Sequence, residues 1–310
     1  MTIAEQEKFR LHVPFEMNGG NLAKSRGAAL MLLGHGAKLH AMPALGEKPE
    51  SPREWIHWLM FDPMTEADAQ ALVACLRARI PALSVFAGAA GNVVLTLPAS
   101  GIQKASTSGS GRAFYNGPEI TLVAADQEPQ PIWAGAYGFA SYTDDLLTAL
   151  NSCPDVTDDC LLAALELWAT ASHENLPRTK FLTYMTILDS LSLQAKREEA
   201  VVRWIDMKIQ EAKTLGDPSI VGALGNLKRV SHKAALKALV ARAADLEGLS
   251  AADTNVKTRL VSELYDARSE LSHQGGAAQF DPANARDLAA YVLRAAITAP
   301  SILEAEPPGP

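Results

Sequence analysis

Hydrophobic and polar positions follow two rhythms along this chain, and the change comes near residue 143. Before it the apolar positions alternate or bunch. Phe9, Leu11 and Val13 recur with period two, and "NVVLTL" at 92–97 and "ITLVA" at 120–124 are short compact runs. Alternation puts every second side chain on one face of a strand, and short β-branched runs between turn residues read as strands. "PIWAGAYGFA" at 131–140 is a further strand candidate. One helix stands among them at 65–80. Thr65 is its natural N-cap, acids fill its first turn, and Leu72, Val73, Leu76 and Ile80 share one face, with Pro81 expected to end it.

After residue 143 the strand signals vanish and helical spacing takes over. Thr157 is placed to cap a helix with Leu161, Leu165 and Trp168 in one stripe, and Pro177 suits the first turn of the next, with Phe181, Tyr184, Met185 and Leu188 inward. Val201, Trp204, Ile205, Ile209 and Ala212 continue the pattern until Leu215-Gly216-Asp217-Pro218 stops it. Ser231 caps a helix carrying Leu236, Leu239, Val240 and Ala243, and Asp281-Pro282 opens the last, with Leu288, Val292 and Ala295. The expected architecture is an α+β domain over 1–142 followed by an all-α helical bundle over 143–304. The tail at 305–310, rich in proline and glycine, is expected to be disordered.

Composition changes this picture little. The 310 residues are 48% hydrophobic and 20% charged, enough for two domains with ordinary cores. A net charge of −7 excludes a chain coated in positive charge for constitutive nucleic-acid binding, and leaves a local basic patch open. The N-terminal "MTIAEQEKFRLHV" has no apolar signal core and no stretch approaches 18 uninterrupted apolar residues, so the expected location is the cytoplasm, with no membrane partner. Cys75, Cys153 and Cys160 are scattered without CxxC spacing, which points to reduced thiols.

Few segments carry candidate chemistry. "KRVSHKAALKALVAR" at 228–242 holds Lys228, Arg229, Lys233, Lys237 and Arg242 and no acid. Such a strip can track RNA phosphates, and a solvated helix face is the plain alternative. His35, His40 and His57 fit no metal-ligand spacing, so no metal or other cofactor is expected. "TSGSGRAFYNG" at 107–117 lacks the Gly-Lys-Ser/Thr ending of a phosphate loop and reads as a turn. Asp189 on the second bundle helix could point into the same cleft as Arg268, but its preferred reading is an exposed or capping acid, outside the candidate site.

The remaining segment is "LYDARSELSHQGG" at 264–276. Val256, Leu260, Leu264, Ala267 and Leu271 form its apolar stripe; Asp266, Ser269 and His273 lie on the outward side, and Arg268 at the stripe's edge. On an ideal helix positions 268 and 273 are about 140° apart with about 7.5 Å of rise between them. They converge only if the last turn unwinds, which Gly275 and Gly276 would permit, or if a second copy supplies the missing geometry.

In this wording the segment resembles the signature of the HEPN superfamily, and is most similar to its ApeA-like group. The resemblance covers residues 143 to about 300 and not the N-terminal half. It implies an all-helical, HEPN-like bundle and a metal-independent endoribonuclease working as a homodimer, with Arg268 and His273 at the matching positions. A histidine titrates near neutral pH and can shuttle the ribose 2′-hydroxyl proton, while an arginine braces the phosphate as charge builds. Ser269 stands where active members often have Asn, Asp or His. Gly275 replaces the tyrosine found in members paired with nucleotidyltransferase antitoxins. A prokaryotic defence or toxin setting is implied, with the N-terminal domain holding a trigger or inhibitor protein. The alternative is a HEPN-type module that binds RNA or protein and dimerises without cleaving. A structural charge pair against the helix dipole, with Asp266 or Glu270, is the plainest reading.

Overall fold

The structure is a computed structural model, and it describes residues 7–18, 29–43, 55–86, 94–105, 119–127, 148–274 and 279–304. The chain divides into two compact units, Met1–Thr157 and Asp158–Pro310.

The first unit is built on a mixed sheet. Its strands are β1 (Phe9–Asn18), β2 (Ala29–Leu32), β3 (His35–Pro43), β4 (Trp55–Phe61), β5 (Val94–Thr96), β6 (Gln103–Lys104) and β7 (Thr121–Ala124). The order is β2-β3-β4-β1-β7-β6, with β5 paired to the end of β1. All pairings are antiparallel except β6 with β7. The register sets Leu11 opposite Leu122 and Val13 opposite Leu59, and all four are buried. Period two at 9–13 thus produces the buried face it implied. β2 and β3 join through Leu33 and Gly34, both with positive φ, the conformation of a tight hairpin turn.

Helix α1 (Glu66–Phe86) begins as its sequence dictates: the Thr65 hydroxyl accepts from the Asp68 backbone N–H at 3.2 Å and donates to the Asp68 carboxylate at 2.7 Å. It does not end at Pro81, which lies inside it. A proline forfeits one helical hydrogen bond, but Ala82, Leu83 and Val85 beyond it are all buried. Packing those residues outweighs the lost bond.

The boundary between the units falls 15 residues after the expected 142/143. The segment after Thr148 belongs to the first unit through specific bonds. The Asn151 side chain accepts from the Leu33 N–H and donates to the Met31 carbonyl, bracing the hairpin. Asp155 pairs with Arg79 at 2.6 Å, and the Val156 N–H donates to the Ala78 carbonyl. No hydrophobic rhythm announces side-chain bonds of this kind. Cys153 is buried, Cys75 half-buried and Cys160 exposed, all as free thiols.

The second unit is helical: α2 (Asp159–His173), α3 (Pro177–Leu191), α4 (Glu199–Lys213), α5 (Pro218–Asn226), α6 (His232–Leu246), α7 (Ala251–Gln274) and α8 (Pro282–Thr298), closed by a 3-10 turn at Pro300–Leu303. Caps explain most boundaries. Asp158, one residue after the expected Thr157, accepts from the Leu161 N–H at 2.8 Å, because a carboxylate beside a helix start is the stronger acceptor. Ser231 accepts from Ala234, and Asp281 from Ala283 and Asn284. Pro177 follows the N-cap Leu176. α8 is the central pillar, packing against α2, α3, α6 and α7. Leu288, Tyr291, Val292 and Leu293 are buried along it among five buried alanines and Ile297.

Two expected faces shift. On α4 only Ile205 and Ala212 are buried, while Val201 and Trp204 are exposed, because α4 packs chiefly on the short α5 rather than the core. On α7 Val261, Leu264 and Leu271 are buried and Val256 is 68% exposed, so the inward face takes in Val261 and leaves out Val256. α5 itself had no periodic signal strong enough to announce it. The strand candidate at 131–140, the loop at 107–117, Gly275, Gly276 and the tail at 305–310 lie outside the described residues. Among the described residues no helix is long and apolar enough to cross a membrane.

Candidate functional site

Arg268 lies on α7 one turn beyond the buried Leu264, and its side chain is a third exposed. The neighbour it meets is Asp189 in the last turn of α3, with Arg268 Nη2 at 3.1 Å from Asp189 Oδ2. An acid near a helix C-terminus opposes the helix dipole, so local propensity does not account for Asp189. Its phase does: it follows Leu188 and stands four residues after the buried Met185, at the edge of the inward face. Burial pushes its carboxyl up from the ordinary range, while Arg268 and then His232 pull it back down. Asp189 Oδ1 is buried without a hydrogen-bond partner among the described residues. The arginine is thus held from behind by a half-desolvated carboxylate, with His232 at the start of α6 close enough to contribute to the field.

Asp189 is the residue that sequence reasoning left out. The available signal was a polar residue at the rim of an apolar stripe, next to an arginine at the rim of another. Neither alone identifies the other as its partner, because positions 189 and 268 are 79 residues apart in sequence.

Asp266, the nearer acid on the same helix, is taken by Lys233 of α6 at 2.7 Å. Ser269 is half-buried on α7, and His273 belongs to the last turn of the same helix. The helix is uninterrupted through Gln274, so the last turn has not unwound by position 273. Positions 268 and 273 therefore keep the separation of about 140° that a regular helix gives them.

The basic strip is not the uniform cationic face its composition suggested. Lys228 pairs with Asp206 of α4 at 2.5 Å, and Lys233 with Asp266. Both acids come from other helices, which is why the strip's own sequence shows none. Lys228 and Arg229 precede the cap of α6 and belong to the connection from α5, where Arg229 bridges to Lys196. Lys237 is exposed on α6. Arg229 has no carboxylate within ion-pairing distance among the described residues.

His35 lies in β3, and the side chains of His40 and His57 lie outside the described residues. Among the described residues no three His, Cys, Asp or Glu side chains gather as a metal-ligand set. No protein-family model, curated protein or solved structure matches this chain.

Proposed function

We propose that the C-terminal helical unit is a metal-independent endoribonuclease of the HEPN type, acting as a homodimer through Arg268 and His273. The observation that carries this reading is the setting of Arg268. It is a cation held by Asp189 on a second helix, still a third open to solvent, five residues ahead of His273 on one unbroken helix. A guanidinium fixed in this way presents its remaining N–H groups to a phosphate without first losing conformational freedom. Asp189 is a positioning residue in this scheme, and Ser269 offers a neighbouring polar group.

The continuity of α7 supports the dimer. One helix directs positions 268 and 273 to different sides, whereas a second copy of α7 brought alongside would set one chain's arginine beside the other's histidine. The histidine accepts the proton of the ribose 2′-hydroxyl as O2′ attacks phosphorus. Arg268 braces the non-bridging oxygens as the P–O5′ bond breaks, and the imidazolium so formed returns its proton to the leaving O5′. The products are a 2′,3′-cyclic phosphate and a 5′-hydroxyl.

A non-cleaving HEPN-type binding module is the second reading, favoured by the prior engagement of Arg268 with Asp189. One experiment decides between them. Labelled single-stranded RNA is incubated in EDTA with wild type, Arg268→Ala, His273→Ala and a mixture of the two variants after subunit exchange. Cleavage by wild type, none by either variant, and about a quarter of wild-type activity in the mixture is the expected result, since half the dimers then hold one intact site. Equal cleavage by all preparations overturns the assignment. No cleavage by any of them leaves the binding module.

A further inference from the structure

The 228–233 segment has a second property that its charge pairs do not explain. A cavity of about 660 Å³ opens between the 194–197 segment, the connection from α5 to α6, and α7. Its lining includes Gln194, Arg197, Asn226, Arg229, His232 and Tyr265, and no carboxylate. Lys228 and Lys233 beside it are tied to Asp206 and Asp266, but neither Arg197 nor Arg229 has a carboxylate within ion-pairing distance among the described residues. Two arginines and a histidine thus line one concave space in a protein of net charge −7.

The wall is organised rather than loose. The Arg197 N–H donates to the Lys228 carbonyl at 2.9 Å and the Val230 N–H to the Ala195 carbonyl at 3.0 Å, zipping 195–197 to 228–230. Side chains add to this: Gln194 Nε2 donates to the Val230 carbonyl at 2.8 Å, and Arg197 Nε to the Leu227 carbonyl at 2.9 Å. With Nε committed, the terminal nitrogens of Arg197 are fixed in direction, which lowers the entropy lost on binding an anion. Gln194 keeps its carbonyl oxygen, Asn226 its amide and Tyr265 its ring for an uncharged part of a ligand.

We propose that this cavity is a nucleotide-phosphate site, in which Arg197 and Arg229 take the phosphate and Tyr265 with the two amides takes the base or sugar. The volume is that of a small-molecule site and exceeds what a bare phosphate fills. Such a phosphate belongs either to a free mononucleotide or to the end of an RNA strand. The site does not depend on the ribonuclease reading, because it is read by binding and not by cleavage.

The test is calorimetric titration of the full chain with AMP, inorganic phosphate, and a short RNA carrying either a 5′-phosphate or a 5′-hydroxyl. It uses wild type, Arg229→Ala, Tyr265→Phe, Tyr265→Ala and, as a control outside the cavity, Lys213→Ala in the last turn of α4. Saturable binding of AMP, weakened about tenfold or more by Arg229→Ala and by Tyr265→Ala but not by Tyr265→Phe or Lys213→Ala, is the expected result. A preference for the 5′-phosphorylated RNA over both AMP and the 5′-hydroxyl strand assigns the phosphate to an RNA end; AMP bound as well as that strand assigns it to a free nucleotide. Inorganic phosphate bound as tightly as AMP removes the nucleotide from the proposal. Absence of saturable binding by all four probes, or equal binding by wild type and a folded Arg229→Ala, overturns it.

Discussion

Replacing Arg268 by alanine strands a carboxylate, and the structure sets bounds on what that costs. An exposed ion pair is worth about 0–1 kcal/mol, and removing one partner of a fully buried pair costs about 3–5. With Arg268 34% and Asp189 19% exposed, the pair lies between these limits. About 2 kcal/mol is the expected loss at neutral pH, before solvent relaxation. A ceiling also exists, because a stranded carboxyl escapes by taking up a proton. For an ordinary carboxyl of 3.8 that costs about 4 kcal/mol at pH 7. The sign with pH follows. Burial holds the Asp189 carboxyl above its ordinary value, so the folded chain keeps this proton to a higher pH than the unfolded chain does. Stability from this group therefore falls as pH rises through that window. Loss of Arg268 removes the larger of the two opposing cations and widens the window upward. The deficit of Arg268→Ala should vanish below the ordinary carboxyl value and grow above it. Asp189→Asn removes the desolvated charge and leaves an arginine that can turn to water, so it should change stability by less than about 1 kcal/mol. The double variant should resemble Asp189→Asn. Denaturant titrations at several pH values, followed by far-UV circular dichroism, measure the cycle; seven of the eight α-helices among the described residues lie in this unit. A loss from Arg268→Ala of the same size with Asp189 and with Asn at 189 would refute the coupling.

Other consequences are as direct. Pro81→Ala should stabilise the first unit by about 1–2 kcal/mol, because the continuous helix Glu66–Phe86 regains one backbone hydrogen bond; a lower melting temperature would show that the proline fits a bend the unit needs. Asp158→Ala should cost the second unit about 1 kcal/mol by freeing the Leu161 N–H, with Asp158→Ser restoring most of it; no change in stability would assign the cap elsewhere. Burial pushes the Cys153 thiol up to about 11, so at pH 8 only about one in a thousand is thiolate, while Cys160 is exposed. Thiol titration in native protein should therefore label Cys160 promptly and Cys153 only on unfolding, and prompt labelling of Cys153 would contradict its burial.

Local physics made much of this molecule legible in its sequence. Alternation at Phe9, Leu11 and Val13 produced a strand, Thr65, Ser231 and Asp281 capped helices where hydroxyls and carboxylates are the best acceptors, and the stripes at 161–168, 181–188 and 236–243 became buried faces. Each is decided within a few residues, by backbone geometry and the nearest polar atom. Long-range choices were not legible. The reach of α1 past Pro81, the attachment of Asn151 and Asp155 to the first unit, and the exposed faces of α4 and α7 depend on which partner surface is present, and periodicity carries no record of that. The candidate site divides in the same way. Arg268, Ser269 and His273 stand in one sequence segment on one helix, whereas the meeting of Arg268 with Asp189, and of Arg229 with Arg197 and Tyr265 around one cavity, brings together residues far apart in the chain. A side chain's partner in space is set by how helices pack, and only the tertiary structure contains that packing.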